Sequence, residues 1–234
     1  MRLLPKLKLS PRLARMVFTR LQRMAYWFVD LDAESSSLDS RVLEYSFVIS
    51  KLAKERTGKV LDVGCADSSN IVPLILASLG WEVHGIDNRE FKFQHPNFHF
   101  TQGDIRKAPL PDDFFDCVYA VSTIEHIGLR GRYSVTEADP EGDIKAVREI
   151  ARVLVPGGIF LLTVPYGRGQ VVKPLHRVYD KFRLLRLFSQ WQSKEEIYYS
   201  LEEGYWVVVP EEVAAEKDYL RGERALALLE FTLG

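Results

Sequence analysis

Cysteine is scarce in this chain: Cys65 and Cys117 are the two among 234 residues, and their spacing matches no metal site. Two lone thiols fit a reducing compartment. Long apolar runs are missing too. None approaches the ~20 residues needed to cross a bilayer, and the start of the chain lacks the apolar core and small-residue cleavage site of a secretory signal. A cytoplasmic protein is expected. Net charge is almost absent, with 31 basic against 32 acidic residues, so nothing electrostatic argues for nucleic acid as the main partner. Internal repeats and low-complexity tracts are absent, which excludes solenoids and biased linkers.

What is present is 47% hydrophobic residues, enough for one full α/β domain around a buried sheet and too few residues for two. Strands are predicted at Val60–Val63, Glu82–Ile86, Phe98–Thr101, Asp116–Ser122 and Ile159–Val164, with helices or mixed connections between them. That alternation predicts a mostly parallel sheet covered on both faces. Lys145–Leu154 reads as the helix before the fifth strand, and Pro156-Gly157-Gly158 as its entry turn. Further on, a helix is expected over Leu175–Phe188. Glu196–Ser200 and Tyr205–Val209 read as a hairpin, and Ala227–Leu233 as an antiparallel closing strand.

Acidic residues are missing from the first 29 positions, where Arg2, Lys6, Lys8, Arg12, Arg15, Arg20 and Arg23 all precede Asp30. On a helical wheel Leu13, Val17, Leu21, Met24 and Phe28 share one face, and Pro11 can start that helix. It fits a lid packed on the rest of the chain. Residues 1–30 would alternatively lie on an anionic membrane as a peripheral contact. A second helix is expected from Ser40 to Glu55, capped by Asp39. Together these define an N-terminal helical extension, residues 1–57, ahead of a domain spanning 58–234.

Three strand ends in that domain carry the chemistry. Lys59-Val60-Leu61-Asp62-Val63 runs into Gly64-Cys65-Ala66-Asp67, where Gly64 allows a sharp turn and close approach. Ser68, Ser69 and Asn70 can cap the helix Ile71–Leu79 that follows, and its free N–H groups face an anionic ligand group. Gly85-Ile86-Asp87 ends the second strand, where Asp87 is placed to accept from two ribose hydroxyls. Gly103-Asp104-Ile105 ends the third, where Asp104 can accept from an adenine amino group. A dinucleotide site would want more glycines than Ala66, Asp67 and Ser68 provide. An adenosine ligand with a non-phosphate half fits better.

These segments, with Leu110-Pro111-Asp112-Asp113-Phe114-Phe115-Asp116-Cys117-Val118 and Arg152-Val153-Leu154-Val155-Pro156-Gly157-Gly158, resemble the class I S-adenosylmethionine-dependent methyltransferases. The resemblance covers about residues 40 to 233 and departs from the usual loop in keeping Gly64 alone. It implies a Rossmann-like, seven-stranded, mostly parallel sheet with helices on both faces, plus the N-terminal helices and a C-terminal hairpin. It also implies S-adenosylmethionine as cofactor, held by Asp62, Gly64, Cys65, Ala66, Asp67, Asp87, Asn88, Asp104, Ile105 and Ser122. A narrower similarity is carried by Ile124-Glu125-His126-Ile127-Gly128, Gly131-Arg132-Tyr133, Asp139-Pro140-Glu141-Gly142-Asp143 and His176-Arg177-Val178-Tyr179. It is to a poorly characterised subgroup, once a domain of unknown function, that is often associated with sugar and glycan assembly.

If the acceptor is a hydroxyl, a base must take its proton, and His126, just past the fourth strand, titrates near working pH. The other reading is that His126 braces its loop. Glu125, Arg132, His176, Arg177 and Tyr179 are candidates to bind a small-molecule or glycan acceptor; Arg177 and its neighbours would otherwise pair with the acidic loop. Asp139, Glu141 and Asp143 have the oxygen-rich character of a magnesium site. A solvated loop with Asp143 as a helix cap is the commoner explanation, and no metal is expected. Besides the methyltransferase reading, a non-catalytic S-adenosylmethionine-binding regulator and a nicotinamide oxidoreductase remain open.

Overall fold

The computed structural model describes residues 35–54, 58–67, 70–130, 138–172 and 176–233. The basic segment 1–30, Ser68, Ser69 and Arg132 lie outside them, and so do the lid and membrane alternatives. By its contacts the chain divides into Met1–Leu38 and Asp39–Gly234. The division falls at Leu38, not at residue 57, because helix α1 (Ser35–Leu52) buries Tyr45, Phe47, Val48 and Leu52 in the same core cluster as strand residues. Trp81 Nε1 also donates to the Leu52 carbonyl at 3.2 Å. Since α1 starts at Ser35, Asp39 lies inside the helix and does not cap it.

Then follow β1 (Lys59–Val63), α2 (Val72–Leu79), β2 (Glu82–Asp87), β3 (Phe98–Gln102), β4 (Phe115–Val121), α3 (Gly142–Val153) and β5 (Leu154–Pro165). The second half holds β6 (Gln170–Val172), β7 (His176–Val178), α4 (Lys181–Leu187), β8 (Trp191–Glu202), β9 (Tyr205–Val209), α5 (Glu211–Ala215) and β10 (Ala225–Leu233). The main sheet has the order β3-β2-β1-β4-β5-β10-β8-β9. Its first five strands are parallel, and β10, β8 and β9 run antiparallel to their neighbours.

Eight strands, not seven, thus share this sheet, because the expected hairpin is its outer edge. Glu203 and Gly204 join β8 to β9, both at positive φ (49° and 86°), the primed turn geometry whose twist matches a two-residue hairpin. Alternate residues along the strands divide into two cores. Leu61, Val63, Val118, Ala120, Phe160 and Leu162 pack with Ile144, Val147 and Ile150 of α3 on one face. Val60, Cys117, Tyr119 and Leu161 pack with residues of α1 and α2 on the other. Period-2 burial against two helical layers is what makes near-continuous apolar runs read as strands.

Two further expectations change. Residues 176–178 form β7, paired antiparallel with β6, and the helix starts only at Lys181, where Asp180 Oδ1 accepts from Arg183 N at 2.8 Å. The Pro156-Gly157-Gly158 turn is absorbed into β5 as a register shift, since Phe115 pairs with Leu154 and Cys117 with Ile159. Among the described residues no helix is long and apolar enough to cross a membrane.

Candidate functional site

The carboxyl ends of β1, β2, β3 and β4 open on one cleft, which is where an open α/β sheet places its ligand. Asp62, Gly64, Asp67, Asp87, Asn88, Asp104, Ile105, Ser122 and His126 all line it. Cys65 is fully buried beneath the loop. Ala66 contributes its N–H, which donates to Asp87 Oδ2 at 3.0 Å and so ties the first loop to the acid of the second.

Gly64 has φ +86°, and a Cβ there would come within 2.2 Å of Thr123 Oγ1. Only glycine lets the chain leave β1 this way while Thr123 closes over it. Asn70 organises the same turn. It donates to Asp62 Oδ2 at 2.8 Å and accepts from Val72 N at 3.2 Å, linking a buried acid to the start of α2. Asp62 is 1% exposed. Burial pushes its carboxyl up to about 7, against the Asn70 hydrogen bond and with help from the charge of Asp87.

Each of the acids at the ends of β2 and β3 carries an arginine two residues on. Asp87 accepts from Arg89 N, Nε and Nη2 at 2.9, 3.0 and 2.9 Å. Asp104 accepts from Arg106 N at 2.9 Å and from Arg106 Nε and Nη2 at 3.0 and 2.6 Å. Burial acts to raise Asp104, but Arg106 outweighs it and holds the carboxyl below its usual range. Arg106 Nη1 also donates to Asp139 Oδ2 at 2.8 Å.

The opposite wall comes from α1. Glu44, fully buried, accepts from Ser122 Oγ, from Thr163 Oγ1 at 2.9 Å and from Arg41 Nη1 at 3.2 Å. Burial raises its carboxyl despite these donors. Ser122 sits at φ +42°, which is uncommon for a residue with a side chain. Its N–H donates to the Thr163 carbonyl at 3.1 Å, so the end of β4 is locked in a sparsely populated conformation at the cleft edge. Arg41 and Tyr45 line the cleft, and Arg41 lies 3.8 Å from the Asp67 carboxylate. Sequence reasoning assigned no role to Arg41, Arg89 or Arg106, and took Glu44 only as part of a motif, Leu43-Glu44-Tyr45, resembling that of a helix over the cofactor. The signals were there: Arg and Glu at i,i+3 on one helix, and Asp-X-Arg at both strand ends.

His126 closes a short 3₁₀ turn, Ile124–His126. Its Nε2 is 3.8 Å from Glu125 Oε1, and its ring centroid is 6.2 Å from that of His176. The remaining acceptor candidates stand elsewhere. Arg177 is 2% exposed and donates to the carbonyls of Ile127 (2.6 Å), Glu125 (3.3 Å), Asp139 (3.3 Å) and Pro140 (3.4 Å). Tyr179 is fully buried and donates to Asp143 Oδ2 at 3.1 Å. Neither lines the cleft; both hold the rim loop from behind. Of the other two, Glu125 is buried and Arg132 lies outside the described residues.

The acidic loop is an ion-pair network. Asp139 meets Arg106 and Lys145, Glu141 meets Arg186, and Asp143 takes Arg183 Nη2 and Nε, each at 2.8 Å. Asp143 therefore does not serve as a helix cap: α3 begins at Gly142, one residue before it.

A family profile described as "Caenorhabditis protein of unknown function, DUF268" matches residues 107–204. Over 114 residues the chain is 34% identical to the sterol 24-C-methyltransferase ERG6B of Gibberella zeae, covering 44% of this chain and 26% of that protein. Over 102 residues it is 35% identical to the ubiquinone/menaquinone biosynthesis C-methyltransferase UbiE of a Caulobacter strain, covering 43% and 34%. The matches thus span about a quarter to a third of the length of these curated relatives. In structure it resembles Burkholderia thailandensis 1,6-didemethyltoxoflavin-N1-methyltransferase, solved with S-adenosylhomocysteine. That TM-score is 0.58 at 15% identity, covering 98% of this chain and 93% of the other. The chain therefore has the class I S-adenosylmethionine-dependent methyltransferase fold, and over about a hundred residues its sequence is similar to methyltransferases.

Proposed function

We propose that this chain transfers a methyl group from S-adenosylmethionine to an oxygen of a sugar, a glycan or another small metabolite. The observation that carries the reading is that Gly64, Asp87 and Asp104, at the ends of three adjacent parallel strands, line one cleft. The cradle fits the donor: the turn at Gly64 leaves no room for a Cβ, and two carboxylates, each now engaged by an arginine two residues on, can accept from hydroxyl and amino groups.

When bound, S-adenosylmethionine supplies an electrophilic methyl group on a sulfonium. Asp87 would accept from the ribose hydroxyls and Asp104 from the adenine amino group, with Ile105 beside it; Arg89 and Arg106 now occupy those carboxylates and would have to yield to them. Arg41 offers a cation to the donor's carboxylate at the Gly64 end. His126 would take the proton of the acceptor hydroxyl as its oxygen displaced S-adenosylhomocysteine from the methyl carbon, and the cleft would contribute chiefly by holding the two reactants in line.

Calorimetric titration with S-adenosylmethionine and S-adenosylhomocysteine, then transfer of labelled methyl into a cell extract, tests the reading. Saturable binding of both and a labelled small product are expected. Absence of binding would refute the activity, and binding without any labelled product would leave a non-catalytic binding protein. His126→Ala should lower turnover with cofactor affinity unchanged. Unchanged turnover would remove His126 from the chemistry and favour a carbon acceptor, the kind named for the sterol and quinone enzymes similar to this chain.

A further inference from the structure

At the other end of β2 from the cleft, one group of side chains has no part in methyl transfer. Glu82 and His84 are two apart on β2 and so project from the same face. His99 stands directly opposite His84 on the edge strand β3. Among the described residues, one carboxylate oxygen of Glu82 and one ring nitrogen from each histidine lie within 4.8 Å of one another. Glu82 Oε1 and His84 Nε2 are 2.9 Å apart, and the two imidazole centroids 4.9 Å. We propose that Glu82, His84 and His99 form a binding site for a divalent ion of the zinc type, clamping the edge strand β3 to β2.

The donor set is the first argument. Two imidazoles and one carboxylate are borderline nitrogen and oxygen ligands, which suit zinc or cobalt and suit magnesium or calcium poorly. Three protein ligands leave a fourth position for water.

Geometry is the second. Ligand atoms around a tetrahedral zinc lie roughly 3.3 Å apart, given bonds of about 2.0–2.1 Å. The present spacings reach that by side-chain rotation alone, because the backbone is already fixed by the strand pairing. Glu82 is 44% exposed along its side chain and His99 is exposed, so both can turn, while His84 is 17% exposed. His84 is held in place by the ring edges of Phe114 and Phe115, at 5.6 and 5.2 Å between centroids. An anchored ligand flanked by two movable ones, against an aromatic wall, is partly pre-organised for an ion. Lys59, paired in register with Glu82, is a cation close by. Its ammonium rests over the Phe114 ring, 4.4 Å from the centroid.

The test is titration of the chelator-stripped full chain with Zn²⁺ by calorimetry and with Co²⁺ by visible absorption. One ion per chain is expected, with the intense visible bands of a low-symmetry Co²⁺ site. Affinity should fall about tenfold or more in His99→Ala and in His84→Asn. His99 is exposed, so His99→Ala should melt like the metal-free native chain, which separates loss of the site from loss of the fold. Two results would overturn the proposal: no saturable uptake up to about millimolar ion, or native affinity retained in both variants, which would place the ion elsewhere.

Discussion

Asp62→Asn is the substitution for which the structure gives the sharpest number. The carboxyl is buried, accepts from one side-chain amide, and faces the charge of Asp87. Burial lifts it from an ordinary 3.8 to about 7. Because the folded value lies above the unfolded one, the native state holds its proton across that interval while the unfolded state has lost it. The contribution of this group is therefore intact below pH 3.8 and declines as pH rises towards 7. The full penalty above pH 7 is roughly 4 kcal/mol, an order-of-magnitude figure.

Asparagine cannot ionise, keeps an oxygen for Asn70, and turns its new amide toward the buried phenol of Tyr119 beside it. The stability of Asp62→Asn relative to the native chain should thus grow by roughly 2–3 kcal/mol between pH 5 and pH 8. Urea denaturation of both proteins at unit pH steps measures this, with equal m values as the control for two-state behaviour. Other titrating groups cancel in the difference. A difference flat with pH, or one that increasingly favours the native chain as pH rises, would refute the argument. An acid that costs stability at a cleft edge is explained by what it holds: through Asn70, it fixes the start of α2 against the Gly64 turn.

Asp87→Ala removes the acceptor assigned to the ribose, and should weaken S-adenosylmethionine binding by about a hundredfold in calorimetry, from two charge-assisted hydrogen bonds of about 1.5 kcal/mol each. Gly64→Ala places a side chain at φ +86° and 2.2 Å from Thr123 Oγ1. A left-handed residue alone costs roughly 1–2 kcal/mol, so its melting point should fall by about 3 °C or more, with cofactor binding lost; native behaviour in both would contradict the close approach. Arg177→Ala strips four carbonyl contacts from the buried rim and should cost about 3 kcal/mol or more in denaturation. Arg177→Lys should recover less than half, because an ammonium lacks the planar fork.

The half of the fold that gathers Asp62, Gly64, Asp87 and Asp104 at one cleft was legible because its signals are local. Asp62, Gly64, Asp87 and Asp104 each end an apolar run, and strand period and loop chemistry place them without knowledge of distant partners. The rim was legible only in part. Arg177 and Tyr179 follow β5 in a polar, alternating stretch that read as helix, and either as substrate contact or as partners of the acidic loop. Only the pairing of β6 with β7 turns them inward, onto carbonyls and a carboxylate 36 to 52 residues away. Glu44 is similar: its partners Ser122 and Thr163 lie 78 and 119 residues on, and no window of sequence contains them.

The same network links the two ends of the cleft. Asp104, the acid proposed to face adenine, shares Arg106 with Asp139 of the rim. Asp139 N donates to the Gly128 carbonyl at 2.9 Å, and the carbonyls of residues 125, 127, 139 and 140 all converge on Arg177. Any ligand that draws Asp104 away from Arg106 therefore changes the charge balance at Asp139, three residues from the Gly142 start of α3. A strained Ser122 on one side and an arginine-latched rim on the other leave His126 between two elements that cannot shift independently. Under the proposed methyl transfer, such a frame would set the acceptor's position by how the cofactor is held, which is what an in-line displacement demands of a protein that supplies little covalent chemistry of its own.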